Sequence, residues 1–452
     1  MTEILYEDFS LWIEPRRSGS GYRVNARCRA GEDSALFDLP GEIGEIPRTL
    51  TQLASMTSGR EASPFSPPRD LAGASPSASH QPPLKAWQIG GFLFRALFSG
   101  GVRQLYDRVC GSSTEPNRGV RIKLHFDPDN GAGLYDLPWE LLYASETKDY
   151  LGLNRLSPIV RYLELPRPSE AALFSPPLRV LLAAANPSGS HPLDLDAEGR
   201  LIRQSLASSE VEVAVLAHSH LEALRESLLR GSYHVLHFMG HGTFDARTGI
   251  GSLLLESAAG HQETASGEVL ANHLKGCLPQ LVVVNACHSG RAATDHGHDF
   301  YAGIASSLVM AGVPAVVAMR APVTDRAAIA FSKALYREVA AGAPVDAAVA
   351  EGRLAIYRAD PFSLEWAIPV LFMRVPDGRL FKSATEQEAV PPPSGRSLEN
   401  EDMIRIGGDV QGGILDIGIQ RGSDSSGASR SSLQIDGSVT GDNVTIVNRK
   451  SV

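Results

Sequence analysis

Cysteine is scarce in this sequence of 452 residues. The four cysteines, Cys28, Cys110, Cys277 and Cys287, are scattered, and they form neither a CxxC pair nor the dense spacing of a disulfide scaffold. A chain of this length can bury a core, and its hydrophobic content of 43% is that of a globular protein. The scattered cysteines favour a reducing compartment, in which a reactive thiol stays free.

An excess of positive charge is also missing. The formal net charge is −9, so no global positive field draws the protein to nucleic acid or to an anionic membrane. The opening MTEILYEDFS lacks the basic and apolar regions of a signal peptide, and the apolar stretch SSLVMAGVPAVVAM is short and interrupted by Pro314. We therefore expect a cytoplasmic protein with no nucleic-acid partner and no membrane insertion.

Phosphate-binding glycine motifs are absent where a nucleotide-binding domain would carry them. The first strand of the α/β region and the residues that follow it have the sequence LRVLLAAANPSGSH, which contains neither GxGxxG nor a Walker motif. A nucleotide-binding function lacks its expected signal, and we expect no cofactor.

From Leu178 onward the sequence contains a regular alternation of strands and helices. Apolar runs such as LRVLLAAA, YHVLHFMG and LVVVNA alternate with helix-like segments such as LEALRESLLR. Near-continuous apolar strands are typical of a parallel sheet that is covered on both faces. We predict an α/β fold with a parallel-rich sheet and helices on both faces.

Other regions flank this core. Residues 1–115 begin with a β-hairpin pattern around RRSGSG and end in helical spacing, with a Ser/Pro insert at 55–83 that we expect to be disordered. Residues 116–386 form the predicted central domain, 387–400 a linker, and 401–452 a glycine-rich tail.

The tail repeats itself at an offset of 29 residues. The matching positions are Ile406 with Ile435, Gly408 with Gly437, Val410 with Val439, Gly412 with Gly441 and Ile417 with Ile446. A two-copy β repeat buries little alone and gains stability by stacking, which predicts a homo-oligomer through residues 401–448. A disordered Gly/Ser tail is the open alternative, because GSDSSGASRSS separates the copies.

Two of the predicted strands end in reactive residues. YHVLHFMG continues into His241 and Gly242, and LVVVNA continues into Cys287, with Gly290 allowing a tight turn behind it. Catalytic groups collect beyond the carboxyl ends of parallel strands, so His241 and Cys287 face one another if their strands are neighbours. An imidazole activates a thiol nucleophile, and the backbone N–H groups of Gly242 and Cys287 are suited to an oxyanion. A lone strand-end cysteine or histidine is more often structural, but the conjunction of the two favours catalysis.

The segments VLHFMGHG, LVVVNACHSG and AGVPAVVAMRAPVTDRAAIAFSKALYREV resemble the CHAT family of caspase-like proteases, which is related to separases, caspases and metacaspases. LPWELLYA and PIVRYLELP are also similar, so the resemblance covers roughly Val120 to Arg374. It implies a caspase-like fold, cysteine endopeptidase activity and a catalytic dyad of His241 and Cys287. It further implies a regulated protease of bacterial immunity or programmed cell death, with an activating partner and a pore-forming or regulatory protein as substrate.

The resemblance does not decide which residues line the pocket for P1, the substrate residue before the scissile bond. Metacaspases usually carry an acid two residues before the nucleophile, where this sequence has Asn285. Asp325 lies where separases carry an acid for a P1 arginine, but it also precedes an apolar-periodic run, as a helix N-cap or first-turn acid does. Asn285 and Asp325 are therefore candidate pocket residues, and no P1 preference follows from Asn285.

Several other features are interpreted as structural. His296 and His298 form an HxH pair, but no further ligand pattern supports a metal, and none is expected. Cys277 lies between a helix end and a strand start, away from the carboxyl edge, and His237 lies within the body of its strand. The alternative to a protease is a non-catalytic scaffold that assembles through the tail, and the presence of both dyad residues argues against it.

Overall fold

The computed structural model describes two units, residues 1–383 and 384–452. Within them the described residues are 4–16, 20–39, 85–112, 115–126, 132–135, 137–166, 169, 171–188, 195–206, 210–245, 247–248, 250–257, 259–288, 300–383, 402–407, 410–417, 420–421, 432–436 and 439–448. The predicted insert, the predicted linker, and the HxH pair His296 and His298 lie outside the described residues. The domain limits given above stay a prediction.

The first unit alternates strands and helices over most of its length. Its strands are β1 (Leu5–Pro15), β2 (Tyr22–Cys28), β3 (Gly31–Phe37), β4 (Arg118–Phe126), β5 (Tyr143–Ala144), β6 (Asp149–Tyr150), β7 (Ile159–Tyr162), β8 (Ala172–Phe174), β9 (Leu178–Ala184), β10 (Val211–Leu216), β11 (Val235–Asp245), β12 (Ile250–Glu256), β13 (Gln262–Ser266), β14 (Leu281–His288), β15 (Ala315–Met319), β16 (Pro369–Met373) and β17 (Phe381–Ser383). Its helices are α1 (Ala86–Leu97), α2 (Gly100–Ser112), α3 (Ala132–Tyr135), α4 (Leu195–Leu206), α5 (Leu221–Gly231), α6 (Gly267–His273), α7 (Phe300–Ala311), α8 (Asp325–Ala340) and α9 (Val345–Ala359). None of these described helices is long and apolar enough to span a membrane.

One large sheet contains two parallel blocks of opposite direction. Its strand order is β10-β9-β11-β14-β15-β16-β7-β4-β1-β2-β3, and β12 and β13 extend it beside β11. The strands β10, β9, β11, β14 and β15 are parallel to one another, and so are β16, β7, β4 and β1. The blocks meet where β15 pairs antiparallel with β16. The predicted parallel-rich α/β fold is therefore confirmed, and the carboxyl ends of the first block share one edge.

Alternation along β14 places helices on both faces of the sheet. Leu281 and Val283 belong to one buried cluster, whereas Val282 and Val284 belong to the other. The first cluster includes side chains of α4, α8 and α9, and the second includes side chains of α5, α6 and α7. A strand that is buried on both faces must be apolar at nearly every position, which explains the run LVVV. The predicted helical cover on both faces is confirmed.

The predicted N-terminal hairpin is part of the same sheet. Its strands β1 and β2 pair antiparallel, and β1 also pairs in parallel with β4 along most of its length. Phe9 on β1 is fully buried, and its ring lies 5.9 Å from that of Phe98, at the end of α1. The N-terminal strands and helices thus share a core with the rest of the first unit.

A buried ionic cluster lies at the junction of the two blocks. Glu140, in a 3₁₀ turn, is fully buried and hydrogen-bonded to Arg161 of β7. Its carboxylate also lies 3.7 Å from Arg320, which follows β15, and 3.8 Å from Arg353 of α9. Burial alone would raise the pKa of Glu140, but Arg161 and Arg353 lower it below its ordinary value. The charged carboxylate therefore links four segments of the chain.

The second unit pairs its two repeats. Its strands are β18 (Asp402–Gly407), β19 (Val410–Ile417), β20 (Gln420–Arg421), β21 (Ser432–Asp436) and β22 (Val439–Asn448). β18 pairs in parallel with β21, and β19 with β22. Ile406 lies opposite Ile435 and Val410 opposite Val439, which is the offset of 29 residues seen in the sequence. The predicted match of Ile417 with Ile446 is wrong in the structure, because a bulge between Gln411 and Gly413 shifts the register and places Ile417 opposite Asn448.

We expect Glu140→Gln to lower the free energy of unfolding by about 3–5 kcal/mol, because the buried arginines would lose their carboxylate partner. Chemical denaturation measures the loss. The matched control is Glu115→Gln, since Glu115 forms an exposed pair with Arg118 at 3.0 Å and exposed pairs contribute about 0–1 kcal/mol. Equal, small losses in both variants would contradict a stabilising role for the cluster.

Candidate active site

The parallel pairing of β11 with β14 brings His241 and Cys287 together. In this register His241 lies opposite Cys287, and Gly242 lies opposite His288. Opposite residues of neighbouring strands are separated by about 5 Å between Cα atoms. The strands of His241 and Cys287, whose adjacency is a condition of the predicted dyad, are therefore neighbours in the sheet.

His241 lies where β11 changes its neighbour. Up to Met239 the strand pairs with β9, and from His241 to Asp245 it pairs antiparallel with β12. The predicted strand YHVLHFMG ends at Gly240, and this limit is wrong, because the hairpin with β12 continues the strand past the histidine. Glycine is required at position 240, between the segments of β11 that pair with β9 and with β12, since a Cβ there would lie 2.9 Å from the carbonyl oxygen of Ala185.

A buried carboxylate ties together the strand ends beside His241. Glu256, the last residue of β12, is 5% exposed, and one oxygen accepts the backbone N–H of Asn186 at 2.8 Å. Its other oxygen accepts Nδ1 of His218 at 2.9 Å. Asn186 follows β9 and His218 follows β10, so one carboxylate joins the ends of three strands. Sequence reasoning missed these residues, because they come from separate segments and form no motif.

The candidate pocket residues occupy different positions. Asn285 is 6% exposed and lies opposite Met239, two residues before Cys287 on the same strand. Asp325 is partly exposed and is the first residue of α8, where the Thr324 hydroxyl accepts the Ala327 N–H as N-cap. A carboxylate in the first turn stabilises a helix, which is the structural role that the sequence offered for Asp325 beside the pocket role.

Cys277 lies at the opposite edge of the sheet. It sits in the turn between α6 and the amino end of β14, and its thiol donates to the Leu274 carbonyl at 3.3 Å. Burial raises the pKa of the Cys277 thiol. A raised pKa disfavours the thiolate, so Cys277 is suited to a structural role.

His237 is separated from solvent in the interior. It is 1% exposed, and its Nδ1 lies 2.7 Å from the hydroxyl of Tyr336 on α8. Burial lowers the pKa of His237 to about 4. The predicted interior position of this histidine is confirmed.

Within the described part of the chain, no group of three or more His, Cys, Asp and Glu side chains is placed to hold a metal ion.

Comparison with known proteins gives a matching family and similar solved structures. The model of the CHAT domain family matches residues 93–382, which is more than half of the chain. No curated protein matches the sequence significantly. A Saccharomyces cerevisiae separase–securin complex at 3.0 Å resolution is similar at 17% identity and a TM-score of 0.35, over 60% of this chain and 16% of the matched chain. Another, at 2.6 Å, is similar at 13% identity and a TM-score of 0.42, over 83% of this chain and 30% of the matched chain.

Acid should weaken the fold through His237. Between pH 6.5 and about 4, His237 is protonated in the unfolded chain but neutral in the folded chain. Its contribution to the free energy of unfolding is therefore fully present above pH 6.5 and is lost as the pH falls towards 4. We expect the free energy of unfolding to fall less steeply in His237→Gln than in the wild type, by up to about 1.4 kcal/mol per pH unit. Urea unfolding at several pH values measures the slopes, with the exposed His261→Gln as control. Parallel slopes for wild type and His237→Gln would contradict the prediction.

Proposed function

The chain belongs to the CHAT domain family, and we propose that it is a cysteine endopeptidase with Cys287 as nucleophile and His241 as its acid–base partner. The observation that supports this most is the register of β11 and β14, in which these two residues are opposite. The alternation of side chains along each strand also supports the pairing of His241 with Cys287. Positions 285 and 287 lie on the same face of β14 as Leu281 and Val283, and position 241 lies on the same face of β11 as Met239. Leu281, Val283 and Met239 all belong to one buried cluster, so positions 241 and 287 lie on the same face of the sheet. A nucleophile and its base need this proximity.

The proposed reaction has two stages. His241 accepts the proton of the Cys287 thiol, and the sulfur bonds to the scissile carbonyl carbon while backbone N–H groups of Gly242 and Cys287 stabilise the oxyanion. The carbon–nitrogen bond then breaks, and the proton on His241 passes to the leaving amine. Water, deprotonated by His241, next attacks the thioester carbon, the carbon–sulfur bond breaks, and the thiolate regains the proton.

The proposal includes a protein substrate and control by a partner. Resemblance to the CHAT proteases supports a regulated enzyme of bacterial immunity or programmed cell death that cleaves a pore-forming or regulatory protein and is stimulated by an activating partner. We also place it in the cytoplasm, because Cys287 must remain a free thiol and the described cysteines Cys28, Cys110 and Cys277 form no disulfide.

A non-catalytic scaffold is the second candidate function. The observation in its favour is that the strands of the two tail repeats pair with each other in parallel, which suits an assembly module. A peptidase requires the Cys287 thiol and a scaffold does not, so a substitution of Cys287 distinguishes the two functions.

We expect Cys287→Ala to lower peptide cleavage about 1,000-fold or more, since the nucleophile is lost. The measurement is mass spectrometry of a proteome-derived peptide library after incubation with the purified chain. Cys277→Ala is the matched control and should cleave within about two-fold of the wild type, because Cys277 lies at the other edge of the sheet. Circular dichroism checks that both variants fold. Cleavage by Cys287→Ala at the wild-type rate would exclude the dyad.

Asp325 is proposed as the acid that receives a basic P1 side chain. We expect Asp325→Asn to reduce cleavage after Arg and Lys about ten-fold relative to other P1 residues, as the loss of one partly exposed charge contact would. Library cleavage before and after the substitution gives the P1 profile. Thr324→Ala is the control, since it removes the cap of the same helix and should lower stability by about 1 kcal/mol without changing P1 preference. If Asp325→Asn lowers stability but leaves the P1 profile unchanged, the carboxylate acts only on the helix and the pocket role is contradicted.

A further inference from the structure

The tail consists of two stacked coils of the same design. We define the first coil as β18 with β19 and the second coil as β21 with β22. Each coil contributes one strand to each of two small sheets, and all pairing between the coils is parallel. The strand register has the 29-residue offset of the sequence repeat along β18 and up to Gln411 of β19, so like positions of the two coils lie side by side there. Beyond a bulge between Gln411 and Gly413 the offset is 31 residues.

Both outer surfaces of this stack present main-chain edges. Among the described tail residues, no strand pairs with the outer edges of β21 and β22, and none pairs with the outer edge of β19. On β18 the short strand β20 pairs only with Asp402 and Met403. An unpaired edge offers N–H and C=O groups to another strand, and neither β19 nor β22 contains the Lys or Pro that commonly protects such edges.

We propose that the tail stacks head to tail on a second copy of this chain, with the first coil of one copy on the outer edge of the second coil of the other. The second coil already pairs with a first coil in its own chain, so the same ladder can continue across the chain boundary. The occupant is a second copy because its first coil carries the strand sequence and spacing that this ladder accepts. The inference goes beyond the proposed peptidase activity and does not depend on Cys287.

Such a contact joins two different surfaces, and it therefore does not close at two chains. Heterologous contacts that leave one edge free at each end continue into longer series. Each added coil pairs only a few residues per strand, so we expect weak, concentration-dependent growth. Its consequence for the protein is to gather several first units in one assembly.

The solution mass tests the proposal directly. We expect the weight-average mass of the full chain to rise with concentration beyond the mass of a dimer. A truncated chain that ends at residue 395 should have the mass of a monomer at every concentration. Light scattering after size-exclusion chromatography measures both. A full chain that is monomeric at every concentration, or that forms a dimer and no larger species, would overturn head-to-tail stacking.

Disulfide trapping tests the register. Val410→Cys and Val439→Cys are made in separate chains, because in-register stacking places these two positions about 5 Å apart between copies, within the range of a disulfide. We expect a disulfide between Cys substituents at 410 and 439 after the two variants are mixed and oxidised, identified by mass spectrometry of the linked peptides. Asn448→Cys, about nine residues or roughly 30 Å further along β22, is the out-of-register control.

The trapping result separates the possible contacts. A 410–410 or 439–439 disulfide in place of the 410–439 disulfide would show a symmetric contact and overturn the proposal. Equal trapping by Asn448→Cys would show unspecific contact and overturn it as well. Both experiments are repeated with Cys287→Ala, so that loss of peptidase activity and loss of stacking are recognised separately.

Discussion

The parallel register between β11 and β14 is the constraint on which the rest of the candidate site depends. Side chains alternate along a strand, so a slip of one residue would move position 241 to the other face and away from position 287. The slip is opposed because both strands are buried on two faces: Val283 and Val284 each fill a different core cluster. The apolar packing that fixes the register therefore also fixes the distance between His241 and Cys287.

The site is held by rigid elements rather than by loops alone. His241 lies on a strand that is paired on both sides, with β14 and with β12. Glu256 joins the ends of the neighbouring strands by hydrogen bonds, and Glu140 pairs with buried arginines where the two parallel blocks meet. Buried charges of this kind cost desolvation energy, and they are tolerated where each finds opposite charge or hydrogen bonds. Groups positioned in this way need little reorganisation during a reaction.

Much of the fold follows from local sequence patterns. The run LVVVNA predicts a strand buried on both faces, and the hairpin pattern predicts β1 and β2, because periodicity and turn residues act within a few neighbours. The antiparallel direction of β16 and the junction at Glu140 could not be predicted, since they depend on contacts between segments far apart in the chain. The continuation of β11 beyond Gly240 was missed for the same reason: its partner β12 is specified only in three dimensions. His241 and Cys287 could be predicted as site residues because each follows an apolar run directly, whereas Glu256 and Asn186 carry no such signal.

The alkylation rate of Cys287 by iodoacetamide, followed by peptide mass spectrometry from pH 5 to 9, tests the central claim most directly. The other three cysteines of the same chain serve as internal references. If His241 is the partner of this thiol, the wild-type rate of Cys287 at neutral pH will exceed that of His241→Gln about ten-fold or more, because the imidazole favours the thiolate. Identical pH profiles of Cys287 in wild type and His241→Gln would contradict the account.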